Sequence, residues 1–282
     1  MRILLVGAQG TLGTALQPAF HDQELVAWDQ TDIDLSDLSS IAPKVQSVQP
    51  QLVINAAAFT DVDRAEQDEP RATAINGSAV GELAAVCAKI GVTLVQLSTD
   101  YVFDGRQTNG YDESAEPAPL SAYGRSKYRG EQLLQQRGRD WILVRTSRLF
   151  GQARGTSSKL DFVQRMLQQA TQSDMLSVVD DEISSPTYAE DLAQAVAALI
   201  DSKVRGVVHR TNDGACTWYE FAREIFAQAG VSVKLEPVPA SAFPRPAVRP
   251  KYSVLRSTKL PPLRHWREAV GDYVRTLKRN DL

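Results

Sequence analysis

Short apolar runs alternate with longer stretches of helical periodicity through the first half of the chain. The runs are Arg2-Ile-Leu-Leu-Val6, Glu24 to Trp28, Gln51 to Asn55, Val92 to Leu97 and Trp141 to Arg145. Most are continuous in apolar character rather than alternating, as strands buried on both faces are. Between them, Leu12, Leu16 and Phe20 recur at helical spacing, Ile41 to Val48 and Arg71 to Ile90 read as helices, and Gly91 stands where a C-cap belongs. This alternation predicts an α/β fold, a doubly wound parallel sheet with helices on both faces. Beyond Phe150 the order loosens. Lys159 to Gln169, Tyr188 to Ile200 and Thr217 to Ala229 predict helices, Gly206 to Arg210 a further strand, and Pro237 to Pro250 a wrapping loop. The second half reads as a smaller, discontinuous C-terminal lobe, with parts of about 185–230 returning to the sheet.

The first strand runs into Gly7-Ala-Gln-Gly10-Thr-Leu-Gly13 and then into a helix. In a strand–turn–helix unit such glycines let backbone N–H groups approach a pyrophosphate, with the helix N-terminus facing its charge. The spacing is G-x-x-G-x-x-G rather than G-x-G-x-x-G, and a merely tight turn is the plain alternative. Strand, three glycines and helix together predict a nucleotide-binding turn of Gly7, Gly10, Thr11, Leu12 and Gly13. Residues 1–150 then form a Rossmann-type NAD(P)-binding domain and residues 151–282 a substrate lobe. Ligands of such sheets lie beyond the carboxyl ends of the strands, which here carry Asp29, Asn55-Ala56-Ala57-Ala58, and Ser98-Thr99. Ala56 to Ala58 would let a flat cofactor approach, although an Ala run is also ordinary packing. Asp29 can accept from both adenosine ribose hydroxyls and would repel a 2′-phosphate. No Arg follows it in Gln30-Thr31, and the next basic side chain is Lys44. The local chemistry leans toward NADH.

Tyr123 and Lys127, four residues apart in Ser121-Ala-Tyr-Gly-Arg-Ser-Lys127, share a helix face. A phenol is a poor acid or base near neutrality, and a neighbouring cation favours its phenolate. Alone, this spacing is that of a solvated helix face. After a nucleotide-binding turn it marks candidate proton-transfer chemistry. Thr99 could hydrogen-bond a carbonyl, although taken alone a strand-end Thr that caps the loop is the plainer reading.

Composition narrows the partners. The chain has 282 residues, 43% hydrophobic and 23% charged, with net charge −3, which suits a globular protein and not an electrostatic nucleic-acid binder. A local basic cluster near the C-terminus (Arg245, Arg249, Lys251, Arg256, Lys259, Arg264) reads equally as an anion receiver or a solvated rim. Cys87 and Cys216 do not make a disulfide framework, and three well-separated His give no metal-ligand spacing. No leader and no membrane-length apolar run is evident, so a cytoplasmic protein is expected.

Gly7-x-x-Gly-x-x-Gly13, Asn55-Ala-Ala-Ala58, Thr99 and Tyr123-x-x-x-Lys127 resemble the extended short-chain dehydrogenase/reductases in order and spacing. Further runs resemble the dTDP-4-dehydrorhamnose reductase family in particular. They are Asn55 to Glu66, Ser98-Thr-Asp-Tyr-Val-Phe103, Pro119 to Gly124, Arg145-Thr-Ser147, Ser185 to Ala189 with Asp191-Leu-Ala193, and Arg249-Pro250 with Ser253. The resemblance implies reduction of the 4-keto group of dTDP-4-dehydro-L-rhamnose to dTDP-L-rhamnose with NADPH or NADH. It gives Tyr123 the role of proton donor. Lys127 would hold the nicotinamide ribose and depress the Tyr123 pKa, while Thr99 positions the carbonyl. It sets Asp100 and Tyr101 at the sugar, Leu97, Phe59 and Thr60 along the cofactor, and Asp34-Leu35 beside the adenine. The expected partner is a nucleotide-sugar, with no nucleic acid and no membrane, the protein being a monomer or homodimer.

Three positions depart from the family pattern. Arg148 stands where the family usually has Trp, and could pair with a diphosphate as a substrate-binding residue. Thr14-Ala15 replace the Glu that some relatives use to dimerise around Mg²⁺, and Ser253-Val-Leu-Arg256 replaces Ser-x-Leu-Asp. The alternatives are a reductase of another 4-keto-6-deoxy sugar nucleotide, a dehydratase or epimerase, and a non-catalytic NADP-binding regulatory subunit. The Asp-Glu pair that dehydratases place after the Thr is Asp100-Tyr101 here, which favours simple reduction. Intact Thr99, Tyr123 and Lys127 speak against a regulatory subunit.

Overall fold

The computed structural model describes residues 1–154 and 160–280. Strands β1 (Arg2–Val6), β2 (Glu24–Trp28), β3 (Leu52–Asn55), β4 (Thr93–Thr99) and β5 (Trp141–Thr146) form a parallel sheet in the order β5-β4-β3-β1-β2. Strand Gly206–His209 extends it beside β5, also parallel. The chain reverses its direction of sheet growth between β1 and β3, which opens a crevice at their carboxyl ends.

Ten α-helices are described: α1 (Thr11–Ala19), α2 (Leu38–Val48), α3 (Val62–Gln67), α4 (Glu69–Thr73), α5 (Ala79–Ile90), α6 (Ala122–Arg137), α7 (Phe162–Ala170), α8 (Ala189–Asp201), α9 (Trp218–Ala229) and α10 (Trp266–Asn280). Successive strand residues point to opposite faces, so the apolar strands feed two cores. Leu12 and Leu16 of α1 and Phe20 at its C-cap, with Leu192, Val196 and Leu199 of α8, cover Ile3, Leu5, Ile54 and Val95. Ile41 and Val45 of α2, Leu83 of α5 and Leu134 of α6 cover Leu4, Val6, Val53 and Leu94 on the other side.

The helix expected over Arg71 to Ile90 is interrupted by a turn of π-helix at Ala74–Ser78, and Gly91 caps its end in the left-handed conformation. Helix α6 crosses close to that turn: a Cβ on Gly130 would lie 2.1 Å from the Asn76 carbonyl oxygen. Within 185–230, α8 and Gly206–His209 join the sheet and its covering layer. Helix α9 instead packs in the C-terminal half, where Phe221 and Ile225 meet Phe150, Tyr188 and the unanticipated α10 through Trp266, Val270 and Tyr273. The predicted wrapping loop begins inside a strand, Lys234–Val238, that pairs in parallel with Met175–Val179. After a 3₁₀ turn at Ala240–Ala242 it does wrap. Asp63 pins it by accepting from the Ala247 N–H at 3.1 Å and pairing with Arg249 at 2.7 Å. Lys159 lies outside the described residues, and α7 starts after an Asp161 capping box.

Among the described residues one ion pair is fully internal. Arg145 of β5 and Glu131 of α6 meet at 2.6 Å with side chains 3% and 1% exposed. Ser98 donates to the same carboxylate at 2.5 Å. Removing one partner of a buried pair strands the other charge, and Glu131→Ala is expected to cost about 3–5 kcal/mol of unfolding free energy. The exposed Arg2–Glu24 pair should be worth only about 0–1 kcal/mol. Urea unfolding of Glu131→Ala and Glu24→Ala checks the contrast, and equal losses would show that the internal pair carries no special weight.

Candidate active site

The glycine turn is built for close approach. Gly7 has φ +84°, and a Cβ on it would lie 2.6 Å from the Ala57 nitrogen. A Cβ on Gly13 would lie 2.0 Å from the Gly7 carbonyl oxygen. Gly10, the N-cap of α1, supplies no side-chain cap, so the first helical N–H groups are left to face an incoming anion. Leu12 and Leu35 contribute backbone here, because their side chains sit in the two cores. Asp29 lies beside the turn and accepts from the Gln9 N–H at 3.2 Å and the Gln30 N–H at 2.7 Å. Lys44 folds back from α2 to donate to the Asp32 carbonyl at 2.5 Å, so a cation does reach this end of the crevice. Asp34 is held below the usual carboxylate range by hydrogen bonds from Ser36, with Arg71 and Lys44 adding to the effect.

The middle of the crevice is lined by the segment after β3. Ala56, Ala57, Ala58 and Phe59 are half-buried and Thr60 is exposed. Phe59 is fixed by Asn76, whose side chain accepts from the Phe59 N–H at 2.8 Å and donates to its carbonyl at 3.0 Å. Asn76 also donates to Ser126 at 2.9 Å, and Ser126 donates to the Tyr123 carbonyl at 2.8 Å. The π-turn carrying Asn76 thus ties the crevice wall to α6. No short motif announced Asn76, because its role depends on a helix irregularity.

Helix α6 starts firmly. Ser121 caps it by accepting from the Gly124 N–H at 3.1 Å, and Glu66 accepts from the Ala122 N–H at 2.7 Å. Its first turns carry Tyr123 and Lys127 to the ends of β4 and β5. Lys127 is 4% exposed and donates to the Leu97 carbonyl at 2.7 Å. Burial lowers its ammonium to about 8, partly offset by Glu131. Burial pushes the Tyr123 phenol up to about 12, while its hydrogen bond with Thr99 opposes the rise and the Asp100 charge adds to it. The expected depression by Lys127 is therefore not what this arrangement produces: desolvation dominates, and the ammonium is engaged by Leu97.

Thr99 continues the polar chain. It donates to Asp100 at 3.1 Å and accepts from the Tyr101 N–H at 3.2 Å. Asp100 is 2% exposed and accepts from Ser253 at 2.5 Å. Burial raises its carboxyl against these hydrogen bonds. The Tyr101 ring meets the Tyr123 ring edge-on at 5.7 Å, and burial raises its phenol too. Ser253 is the contribution of the C-terminal Ser-Val-Leu run.

Arg148 differs from the expectation of a diphosphate partner. Its guanidinium donates to the carbonyls of Cys216 at 2.7 Å and Glu182 at 2.6 Å, and stacks 4.0 Å over Trp218. Its backbone adopts φ +40°. Planar donors matched to two carbonyls and an aromatic face leave little for a diphosphate, although Asp100 and Tyr101 feel its charge. The basic C-terminal cluster is divided rather than focused: Arg245 pairs with Glu182, Arg249 with Asp63, and Arg264 with Asp191 and Asp272.

A glycine turn at the start of α1, a hydroxyl at the end of β4, and a half-buried Tyr123 beside a buried Lys127 are the marks of a nucleotide-dependent oxidoreductase of the extended short-chain dehydrogenase/reductase class. The sequence pattern of the RmlD substrate binding domain matches residues 1–279. The chain is 38% identical to a dTDP-4-dehydrorhamnose reductase of Mycobacterium tuberculosis over 96% of its length and 91% of the relative's. A dTDP-4-keto-6-deoxy-D-glucose reductase of Streptomyces niveus is 37% identical, with 95% of each chain covered. The crystal structure of a dTDP-4-dehydrorhamnose reductase from Bacillus anthracis in complex with NADP superposes with a TM-score of 0.92 at 34% identity, covering 98% of this chain and 99% of that one. This chain belongs to the dTDP-4-dehydrorhamnose reductase family.

The buried ammonium gives a direct test. Since burial lowers Lys127, its charge is present below about 8 and lost above. NMR of ¹³C-labelled lysine in the protein without ligands should show one side chain titrating near there, apart from exposed lysines near about 10.4. Glu131→Gln, which removes the charge that raises it, should move that midpoint further down. An unshifted midpoint would separate Glu131 from Lys127.

Proposed function

We propose that the protein reduces the 4-keto group of dTDP-4-dehydro-L-rhamnose to dTDP-L-rhamnose, using NADPH or NADH, as a cytoplasmic enzyme of nucleotide-sugar biosynthesis. The observation that carries this reading is the half-buried Tyr123 beside the buried Thr99–Asp100–Ser253 hydrogen-bond chain and Lys127. The turn fits the cofactor: glycines at 7 and 13 let it close on Ala57 and on itself where a Cβ would collide, and Gly10 leaves the start of α1 without a side-chain cap. Gly7 to Gly13 would hold the pyrophosphate, Asp29 the adenosine ribose, Asp34 and Leu35 the adenine side, and Ala56 to Thr60 with Leu97 the remaining length. The reduced nicotinamide, when bound, supplies a hydride to the carbonyl carbon.

Tyr123 supplies the proton to the carbonyl oxygen. A phenol pushed up to about 12 is fully protonated in the working range, as a donor in the reducing direction must be. Thr99 has a hydroxyl at the same place to orient the carbonyl. Lys127 spends one N–H on Leu97 and keeps two for ribose hydroxyls. Asp100 and Tyr101 form the sugar side of the pocket, and Arg148 shapes that wall by holding Trp218 and the Glu182 and Cys216 backbone in place.

Another 4-keto-6-deoxy sugar nucleotide is the second reading, favoured by the Arg148–Trp218 stack in the position where the family pattern has Trp. Turnover of dTDP-4-dehydro-L-rhamnose measured beside dTDP-4-keto-6-deoxy-D-glucose separates the two, and failure with both returns the chain to a binding role.

Tyr123→Phe should lower kcat by at least the roughly 10²-fold typical of a lost general acid, with cofactor affinity nearly intact. Undiminished turnover in that variant would end the proposal. For the cofactor, Asp29 beside the turn is expected to give NADH a modest advantage, with Lys44 keeping NADPH usable. Asp29→Ala should shift the ratio of kcat/KM values toward NADPH. A wild-type preference for NADPH above about tenfold, roughly 1.4 kcal/mol, would place Asp29 away from the ribose.

A further inference from the structure

A cavity of about 330 Å³ lies beyond the carboxyl end of strand Gly206–His209, lined among others by Ser185, Arg210, Thr211, Asp213, Val254 and Arg256. Arg210 is 8% exposed. Its Nη1 donates to the Pro261 carbonyl at 2.6 Å, but its buried Nε has no hydrogen-bond partner. Among the described residues no carboxylate pairs with it, and burial alone acts on its charge. A guanidinium taken out of water without a counter-charge is costly. Arg256, the residue that departs from Ser-x-Leu-Asp, lines the same cavity and donates to the Asn109 carbonyl at 3.0 Å; Asp112 feels its charge, but among the described residues no carboxylate lies within ion-pair distance. Asp213 is the one carboxylate in the lining, and it is exposed and bonded to neither Arg.

We propose that this cavity is a binding site for a phosphate group, with Arg210 and Arg256 as its cationic walls. Guanidinium forks match phosphate oxygens with paired charge-assisted hydrogen bonds. The hydroxyls of Ser185 and Thr211 are further donors on the same lining. The site stands apart from the Tyr123 crevice but shares a segment with it: Ser253, which donates to Asp100, directly precedes Val254 of the cavity wall. The proposal does not depend on the reductase reading.

Isothermal titration calorimetry of the full-length protein tests it with inorganic phosphate as the probe and no other phosphorylated compound present, uptake that is unchanged in Arg210→Gln being assigned to the glycine turn. The wild type should bind phosphate at one site, and Arg210→Gln should weaken that binding by at least about tenfold, the effect of losing charge-assisted hydrogen bonds. If Arg210→Gln does not fold, Arg256→Gln at an exposed position decides by the same criterion. A second titration with AMP tells a free ion from a phosphorylated metabolite: equal affinities favour the ion, tighter AMP binding the metabolite. Absence of phosphate and AMP uptake by the wild type at millimolar concentration, or equal affinity in the variants, overturns the proposal.

Discussion

Almost every polar group around Tyr123 is withdrawn from water, and desolvation makes each one depend on a partner. Lys127 has Leu97, Asp100 has Ser253 and Thr99, and Glu131 has Arg145 and Ser98. Burial also sets the protonation states, holding the phenol as an acid and bringing the ammonium near neutrality. The chemistry thus rests on how tightly β4, β5 and α6 close on one another. That closeness in turn needs small residues at the crossings. Gly124 lets α6 approach the Tyr101 carbonyl, where a Cβ would lie 2.2 Å away, and Gly130 does the same against Asn76.

Elements distant in sequence complete the arrangement. The run from Asp61 to Glu69 is scaffolding: Asp63 fastens Arg249 and Ala247 of the wrapping loop, and Glu66 and Glu69 anchor the start of α6 through Ala122 and Arg125. The same loop leads into Ser253. A hydrogen bond from residue 253 to residue 100 is therefore held in place by a helix at residues 62–67. Several family motifs work in this way, as clamps that fix the positions of the few groups facing the crevice.

Arg148 shows how a substituted position is held by its surroundings. Its guanidinium stacks on Trp218 of α9 and makes two hydrogen bonds to backbone carbonyls, which ties the segment after β5 to α9. The left-handed backbone at Arg148 is the local strain that this geometry carries.

The sequence by itself determined the five apolar strands of the first half, most of the helices, the glycine turn and the Tyr–Lys face, because strand and helix periodicities and glycine requirements are local properties. It also placed Asp29 at the end of β2. Tertiary structure alone decided the rest. Asn76 became a clamp through a π-turn forced by the close passage of α6, and α10 found its place through aromatic packing on α9. Three members of the basic C-terminal cluster, Arg245, Arg249 and Arg264, went into ion pairs, since ion pairs follow spatial neighbours rather than spacing in the chain. The direction of the Tyr123 shift was decided the same way. A Tyr-x-x-x-Lys spacing states that two side chains share a helix face, but only the packing around that face says how far each has been taken out of water.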